Sequence, residues 1–431
     1  MFKTLADAWR IPELRKKLIA TLLILLIYRV VSAIPVPYMN AAILPELRTM
    51  MDGNILGLYN TMSGGALASA SLLALGIQPY INASIIIQLL TVAIPALERL
   101  SKEGGEEGKK KIEKITRITT VVLGLILGYA YYTMCRVNGV LMPGSEKNFW
   151  HAVVIILAFT AGACFAMWLG EQITEFGIGN GISMILFANI IAGLPQTLQG
   201  VLNLKWWAGV IVAVILAALV VFIVFINDAE RRIPIQYAKR TVGRKIMGGQ
   251  STNLPIKVAM SGVMPVIFAQ SIVSIGATVF QFVANSKGAE GATWLANNWW
   301  FKYIFSPQCA VYAILYFLLI FFFSWFYSTI QYDPTEIAKN LQKNGGFIPG
   351  FRAGKPTANF IKKVINKILI FGAIYLAIVA LFPVVGGIIW TEVQNLAIGG
   401  TSIIIVVGVA LETVKAIEAQ MLMRHYKGFL D

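Results

Sequence analysis

Glycine-rich loops, paired carboxylates, histidines and thiols are where chemistry starts, and this chain holds few of them in a working arrangement. Its densest candidate is Gly177-Ile178-Gly179-Asn180-Gly181. Such glycines cradle phosphates when they follow a strand and open a helix. Here they follow a long apolar run, so they are expected to form a tight turn between two helices. The two histidines, His151 and His425, stand apart at a span end and in the C-terminal tail. Cys135, Cys164 and Cys309 are scattered in or beside apolar stretches, whereas a metal site or disulfide framework needs them clustered. Nothing resembles HExxH, GxSxG or a phosphate-binding Walker loop. The sequence therefore predicts no enzyme, no metal and no cofactor. Work that needs energy must draw on a partner.

Ionisable residues inside apolar runs are the other source of chemistry, because buried relays of carboxylates and histidines drive proton-coupled pumps. They are few here. Arg29 sits late in the first run, where its long side chain is expected to snorkel outward. Glu171, Glu392, Glu412 and Lys415 fall at run ends. Asn82-Ala83-Ser84 matches a glycosylation sequon, but inside an apolar span the match has no meaning.

The elements that must position these residues are membrane spans. Of 431 residues, 57% are hydrophobic and only 13% charged, about half the charge of a soluble domain. The apolar residues are bunched into runs that reach, with their flanks, the roughly 20 residues needed to cross about 30 Å of hydrocarbon. Ten spans are predicted, over 18–37, 76–96, 118–135, 151–170, 182–196, 206–227, 258–284, 309–331, 368–389 and 401–418. Arg15-Lys16-Lys17 before the first run imitates a secretory signal, but the further spans make it a retained first crossing.

Ten crossings put both termini on one side. Basic residues crowd the tail 1–17 and the loops 97–117, 228–257 and 332–367, while the opposite side carries only Arg48, Arg136, Lys147, Lys205, Lys287 and Lys302. The positive-inside rule then places both termini in the cytoplasm. The expected organisation is a tail 1–17, an N-terminal half 18–196, a C-terminal half 197–418 and a tail 419–431. Paired halves around a central pathway are a common plan among transporters.

One segment is too short to span and too apolar to ignore. Residues 61–97 as a single helix would run about 55 Å at 1.5 Å per residue, too long for one crossing. Gly76-Ile77-Gln78-Pro79 supplies a break, since glycine loosens the backbone and proline removes a donor. The piece before it, 64–75, would reach only about 18 Å as a helix. It has neither the basic face nor the aromatic anchors of an interfacial helix. It is expected to fold back into the middle of the protein, which implies a central cavity to be filled.

The loops 228–257 and 332–367 are long and basic, with Arg231-Arg232, Lys239-Arg240 and Arg244-Lys245 in one and Arg352 closing a glycine-rich stretch in the other. Anionic headgroups account for the charge. The length calls for more, and an RNA or acidic protein partner suits it.

At this point the residues resemble a known family. Ser63-Gly64-Gly65-Ala66-Leu67 followed by Ala74-Leu75-Gly76-Ile77-Gln78-Pro79-Tyr80-Ile81-Asn82 is similar to the signature of bacterial SecY proteins, and so are Trp168-Leu169-Gly170-Glu171-Gln172, Gly177 to Ser183, Tyr237-Ala238-Lys239-Arg240, Phe347-Ile348-Pro349-Gly350-Phe351-Arg352 and Gly399-Gly400-Thr401-Ser402. The resemblance runs from the first span to the last in family order. It implies an all-α integral membrane protein of the bacterial inner membrane, with ten transmembrane helices in two pseudo-symmetric five-helix halves around an hourglass pore. That pore conducts unfolded secretory polypeptides and releases apolar segments sideways into lipid.

Carried over by position, the resemblance implies a constriction ring of Ile77, Ile81, Ile182, Leu186, Ile267 and Ile405. A short plug half-helix would occupy about 61–75, including Ser63, Gly64, Gly65, Ala66, Leu67 and Leu72. A lateral gate would open between spans 2–3 and 7–8, with Gln88 and Gln270 near the seam. Arg240, Arg244, Lys245 and Arg352 fall where the family meets its drivers, the ATPase SecA and the ribosome. SecE and SecG are the implied membrane partners, alongside signal peptides, nascent chains and lipids. A solute transporter shares the span count but would need a polar midplane site, and an intramembrane enzyme would need a nucleophile, base or metal. Neither is present in the pattern.

Overall fold

In hydrocarbon every backbone N–H and C=O must find an internal partner, so long apolar runs form helices. The computed structural model of the chain describes residues 2–427 apart from 41–42, 46–54, 103, 146–147, 203–204, 238–239, 243–244, 248–250, 261, 287–293, 295–297, 305–308 and 390–399. Two helices open the chain, α1 (Phe2–Arg10) and α2 (Pro12–Ser32). A short α3 (Ile55–Met62) precedes α4 (Gln78–Ala93), α5 (Pro95–Lys102) and α6 (Gly105–Val137). Then come α7 (Phe149–Phe176), α8 (Gly181–Leu202) and α9 (Trp206–Asp228). Four strands follow: β1 (Glu230–Tyr237), β2 (Arg240–Val242), β3 (Lys245–Met247) and β4 (Ser251–Lys257). The chain continues with α10 (Met264–Ser286), α11 (Trp299–Ile304), α12 (Ala310–Gln331) and α13 (Pro334–Lys343). It ends with β5 (Gly346–Phe347), α14 (Lys355–Ile389) and α15 (Gly400–Lys427).

Each of the ten predicted spans coincides with one helix among α2, α4, α6 to α10, α12, α14 and α15. Among the described residues, five of these are individually long and apolar enough to cross a membrane: α6, α7, α9, α12 and α14. The pair α4 and α5, bent by 106° at a proline break, adds a sixth if it is one span. Helix ends differ from the predicted limits where charge misled. The predictions of 118 and 368 mark where hydropathy rises, but α6 starts at Gly105 and α14 at Lys355, because Lys and Glu are good helix formers and extend a helix beyond the lipid. Conversely α10 starts at Met264 rather than 258, after Gly262 takes a φ of +58°.

The helices pack as a continuous bundle. α6 lies against α4 and α7, α8 against α7 and α15, and α12 between α10 and α14. Small residues allow close approach. A Cβ added at Gly124 would sit 3.2 Å from Thr160 Cγ2, and at Gly128 3.3 Å from the Ile156 carbonyl oxygen, so α6 meets α7 through a small-xxx-small stripe. The glycine-rich stretch is a tight turn, as expected. Asn180 Oδ1 accepts from the Ile182 and Ser183 amides at the start of α8, Thr174 Oγ1 accepts from the Gly181 amide, and Gly179 takes a φ of +77°.

The sequence reading gave no strands. The loop 228–257 nonetheless folds as a long antiparallel hairpin, β1 with β4, in a register running from Glu230 opposite Lys257 to Gln236 opposite Ser251. Strand β5, from the other long loop, pairs with Gln236 and Tyr237 on the free side of β1 and completes a three-stranded sheet, β4-β1-β5. Pro234 is tolerated in β1 because β5 stops short of it and no ladder donor is lost there. Ile233 and Ile235 alternate inward, and Ile233 joins Ile256, Met260, Ile348 and Ile361 in one apolar cluster.

Candidate functional site

The six aliphatic residues picked out from the sequence come from four helices or helix ends. Ile77 precedes α4 and Ile81 lies in its first turn, Ile182 and Leu186 open α8, Ile267 opens α10 and Ile405 lies early in α15. All six meet in one apolar cluster, five of them fully buried and Ile182 partly so. Gly170 of α7 marks the convergence from behind: a Cβ there would lie 3.4 Å from Ile77 Cδ1 and 3.7 Å from Ile182 Cγ1. The six side chains themselves carry no ionisable group.

The segment next to it takes a form the sequence did not foresee. Residues 63–77 make successive turns rather than a helix. Four positive φ values explain this: +68° at Gly64, +87° at Gly65, +45° at Ala70 and +53° at Gly76. Each breaks a right-handed helical path. The amides find partners in side chains instead, with Asn60 Oδ1 accepting from Ala68 and Ser63 Oγ from Leu67.

Neighbouring spans hold this segment from several sides. Leu72 donates its amide to the Ile34 carbonyl and Ala70 accepts from Val36, so the exit of α2 is stitched to it. Tyr131 of α6 donates its hydroxyl to the Leu67 carbonyl. Asn189 of α8 donates to the Met62 carbonyl at 2.9 Å. From α7, Gly162 leaves just enough room for the Leu72 carbonyl. Ser63, Ala66 and Leu67 are buried, and Gly64, Gly65 and Leu72 partly so. Leu73 packs with the aliphatic cluster, while Leu67 and Leu75 pack with Tyr131 and Phe159 in a second one.

Arg29 departs from expectation. It does not snorkel outward: Nη1 donates to the Gly64 carbonyl at 3.3 Å and Nη2 to the Ala188 carbonyl at 3.0 Å. Its place in an apolar run marked it as unusual, but its partners lie 35 and 159 positions away along the chain, where sequence pattern carries no signal.

The seam residues differ from one another. Gln270, on α10, is buried, and its Oε1 has no hydrogen-bond partner among the described residues. Gln88, on α4, is exposed. α10 packs directly on both α4 and α6.

Of the docking candidates, Arg352 is exposed just beyond β5, in a turn shaped by Gly350 at a φ of +87° and by the Phe351–Phe360 ring contact at 4.3 Å. Arg240 opens β2 and Lys245 opens β3, whose pairing places Val242 opposite Lys245. Arg244 lies outside the described residues.

Comparisons with known proteins point to one family. The SecY family description matches residues 71–414. A protein translocase subunit SecY from Streptomyces galbus is 44% identical over the full length of both chains. A solved SecY structure in which the plug domain is reported to stabilise the closed state of the translocation channel and to maintain a membrane seal superposes with a TM-score of 0.63 at 18% identity, covering 94% of this chain and 92% of that one. Sec61 in a canine ribosome-channel complex gives a TM-score of 0.61 at 18% identity over the same shares.

Proposed function

This chain belongs to the SecY family of protein-translocase channel subunits, and from that premise we propose that polypeptide crosses through the ring of Ile77, Ile81, Ile182, Leu186, Ile267 and Ile405. The carrying observation is that six aliphatic residues from four separate spans belong to one apolar cluster beside a segment built of turns. A narrow aliphatic girdle dewets and so blocks ions without a tight mechanical seal. Its branched side chains offer no preferred hydrogen-bond partner, so segments of any sequence slide past.

In this reading residues 61–75 are the plug that fills the resting pore, and the halves 18–196 and 197–418 are the two walls. The seam where α10 meets α4 and α6 is the lateral gate. Through it an apolar stretch of about 20 residues partitions into lipid while a polar one continues across. The buried, unpaired Oε1 of Gln270 supports a place for that residue at the seam, since an orphaned buried acceptor costs about 1–3 kcal/mol and is relieved when the seam admits water or a peptide. Gln88, across the division on α4, is exposed.

The protein then resides in the bacterial inner membrane with both termini cytoplasmic, placing the β-sheet and Arg352 toward the cytoplasm. SecA and the ribosome are the drivers proposed to engage Arg240, Arg244, Lys245 and Arg352. The exposed position of Arg352 supports this, as does the ribosome-bound state of the similar canine channel. SecE and SecG are the proposed membrane partners.

The direct test is site-specific crosslinking from position 81 to a secretory precursor stalled in transit. A crosslink that depends on ATP and on the signal sequence places the moving chain at the ring. Passage of the precursor with no crosslink at 81 moves the path elsewhere.

A further inference from the structure

One residue of α2 and one of α8 grip the backbone at the start of the turn-built segment, and a second residue of α2 bonds the latter. Arg29 donates to the Gly64 carbonyl at 3.3 Å and to the Ala188 carbonyl at 3.0 Å. Tyr28, which is fully buried, accepts at its hydroxyl from Asn189 Nδ2 at 2.9 Å, and the same amide nitrogen donates to the Met62 carbonyl at 2.9 Å. Carbonyls 62 and 64, on either side of buried Ser63, are thus held from two helices at once.

The fit is specific to this backbone. Gly64 takes a φ of +68°, and a Cβ there would come within 2.7 Å of Arg29 Nη1, 2.9 Å of Nη2 and 3.0 Å of Asn189 Oδ1. Only a residue without a side chain brings its carbonyl this close to the guanidinium. The described partners of Arg29 are neutral carbonyl oxygens. A guanidinium keeps its charge throughout the physiological range, and a cation placed at membrane depth is costly to keep. Ordinary packing does not require one, and an aliphatic side chain would fill the space at lower cost.

We propose that Arg29, aligned by Tyr28 and Asn189, is a latch that holds the plug in its resting place. This rests on reading residues 61–75 as the plug. Its chemistry suits a reversible catch. Withdrawal of the segment leaves Arg29 Nη1 and one Asn189 donor without acceptors, which opposes opening. The Ala188 carbonyl keeps the guanidinium in position meanwhile, ready for Gly64 to return. Arg29 acts through Gly64, and its described hydrogen-bond partners, at Gly64, Ala188 and Asn189, lie outside the proposed ring, so it is a positioning residue that sets how easily the channel opens.

The test compares resting ion conductance in planar bilayers fused with membrane vesicles that carry the full-length chain. It also scores export of a precursor with a defective signal sequence. Arg29→Gln removes the charge and the forked donor, and is expected to raise the open population on the order of tenfold and to admit the defective precursor. Arg29→Lys retains charge with a single compact donor group and is expected to restore part of the seal. Tyr28→Phe removes one hydroxyl only and is expected to leak less than Arg29→Gln. It also keeps the test informative if the arginine variant fails to assemble. Deletion of residues 65–70 calibrates the plug itself. Leak in the deletion with a normal seal in both Arg29→Gln and Tyr28→Phe overturns the latch and leaves the plug reading standing. A sealed deletion variant overturns both. Loss of export for all precursors without leak also overturns the latch, because that outcome marks a purely structural role.

Discussion

Gly162 of α7 lies so close under Leu72 that a Cβ added to the glycine would be 1.8 Å from the leucine's carbonyl oxygen. The span and the turn-built segment therefore meet backbone to backbone, with no side chain between them. A neighbour that is backbone cannot rotate away, so any larger residue at 162 must push the segment or the helix aside.

Gly162→Ala is accordingly expected to unseat the far end of the segment. The cost is about 1–3 kcal/mol of overpacking, and resting ion conductance should rise while ordinary precursors still cross. Wild-type conductance from a normally assembled Gly162→Ala channel would show that the contact yields without disturbing the seal.

The ring makes a sharper demand. Ile81 and Ile267 are both fully buried in the aliphatic cluster. Replacing both with glycine is expected to hydrate the girdle and pass ions at rest, beyond the roughly 2–5 kcal/mol that each lost side chain costs in packing. Planar-bilayer recording decides the matter, and an unchanged baseline would remove these two from the constriction.

Arg352 tests the opposite regime. Its side chain is exposed, so Arg352→Glu should shift stability by no more than about 0.5 kcal/mol. Export is expected to fall several-fold with the protein present at normal abundance. Normal export by the reversed charge would detach this turn from any driving partner.

Ile233 is 3% exposed and packs with Ile256, Met260 and Ile348. A carboxylate there has no partner to pair with, so Ile233→Asp should cost several kcal/mol and open the hairpin. Limited proteolysis checks this, with faster cleavage in 228–257 and in 346–352 together. Neighbouring Arg232, exposed and paired with Glu230 at 2.7 Å, provides the contrast: Arg232→Ala should cost about 1 kcal/mol or less and leave cleavage unchanged.

Gly181 is the most confined residue of the turn between α7 and α8, since a Cβ there would fall 1.9 Å from the Gly170 carbonyl oxygen. Gly181→Ala is expected to reduce the amount of assembled protein, as the ring residues Ile77 and Ile182 rest against Gly170 on the same surface. Undiminished abundance after a chloramphenicol block of bacterial protein synthesis would argue that the turn relaxes freely.

Much of this was legible from residue order. Apolar runs located the helices because hydrocarbon permits no other backbone solution, and the break at Gly76 appears where glycine and proline stood together. The turn at 177–181 followed from three glycines and an asparagine within five residues. What hydropathy could not reveal was backbone detail within 61–75, where Gly64, Gly65 and Ala70 take positive φ values that depend on neighbours far along the chain. The sheet was hidden differently. Ile233 and Ile235 alternate as a half-buried strand should, but two prolines and a crowd of arginines masked the period. Arg29 was visible as an oddity, yet its direction depends on Ala188, which lies in a helix more than a hundred residues away.

The pairing of β5 with β1 has a mechanical side. β1 starts two residues after α9 ends at Asp228, and β4 ends at Lys257, shortly before α10 begins at Met264. The hairpin is therefore a stiff handle with α9 and α10 as its two stems, and β5 clamps the second loop onto it. A pull on residues 346–352 passes sideways through the ladder at Gln236 and Tyr237 before it reaches lipid. Since β4 leads into α10, which carries Ile267, both long loops connect through one hairpin to a residue of the proposed ring.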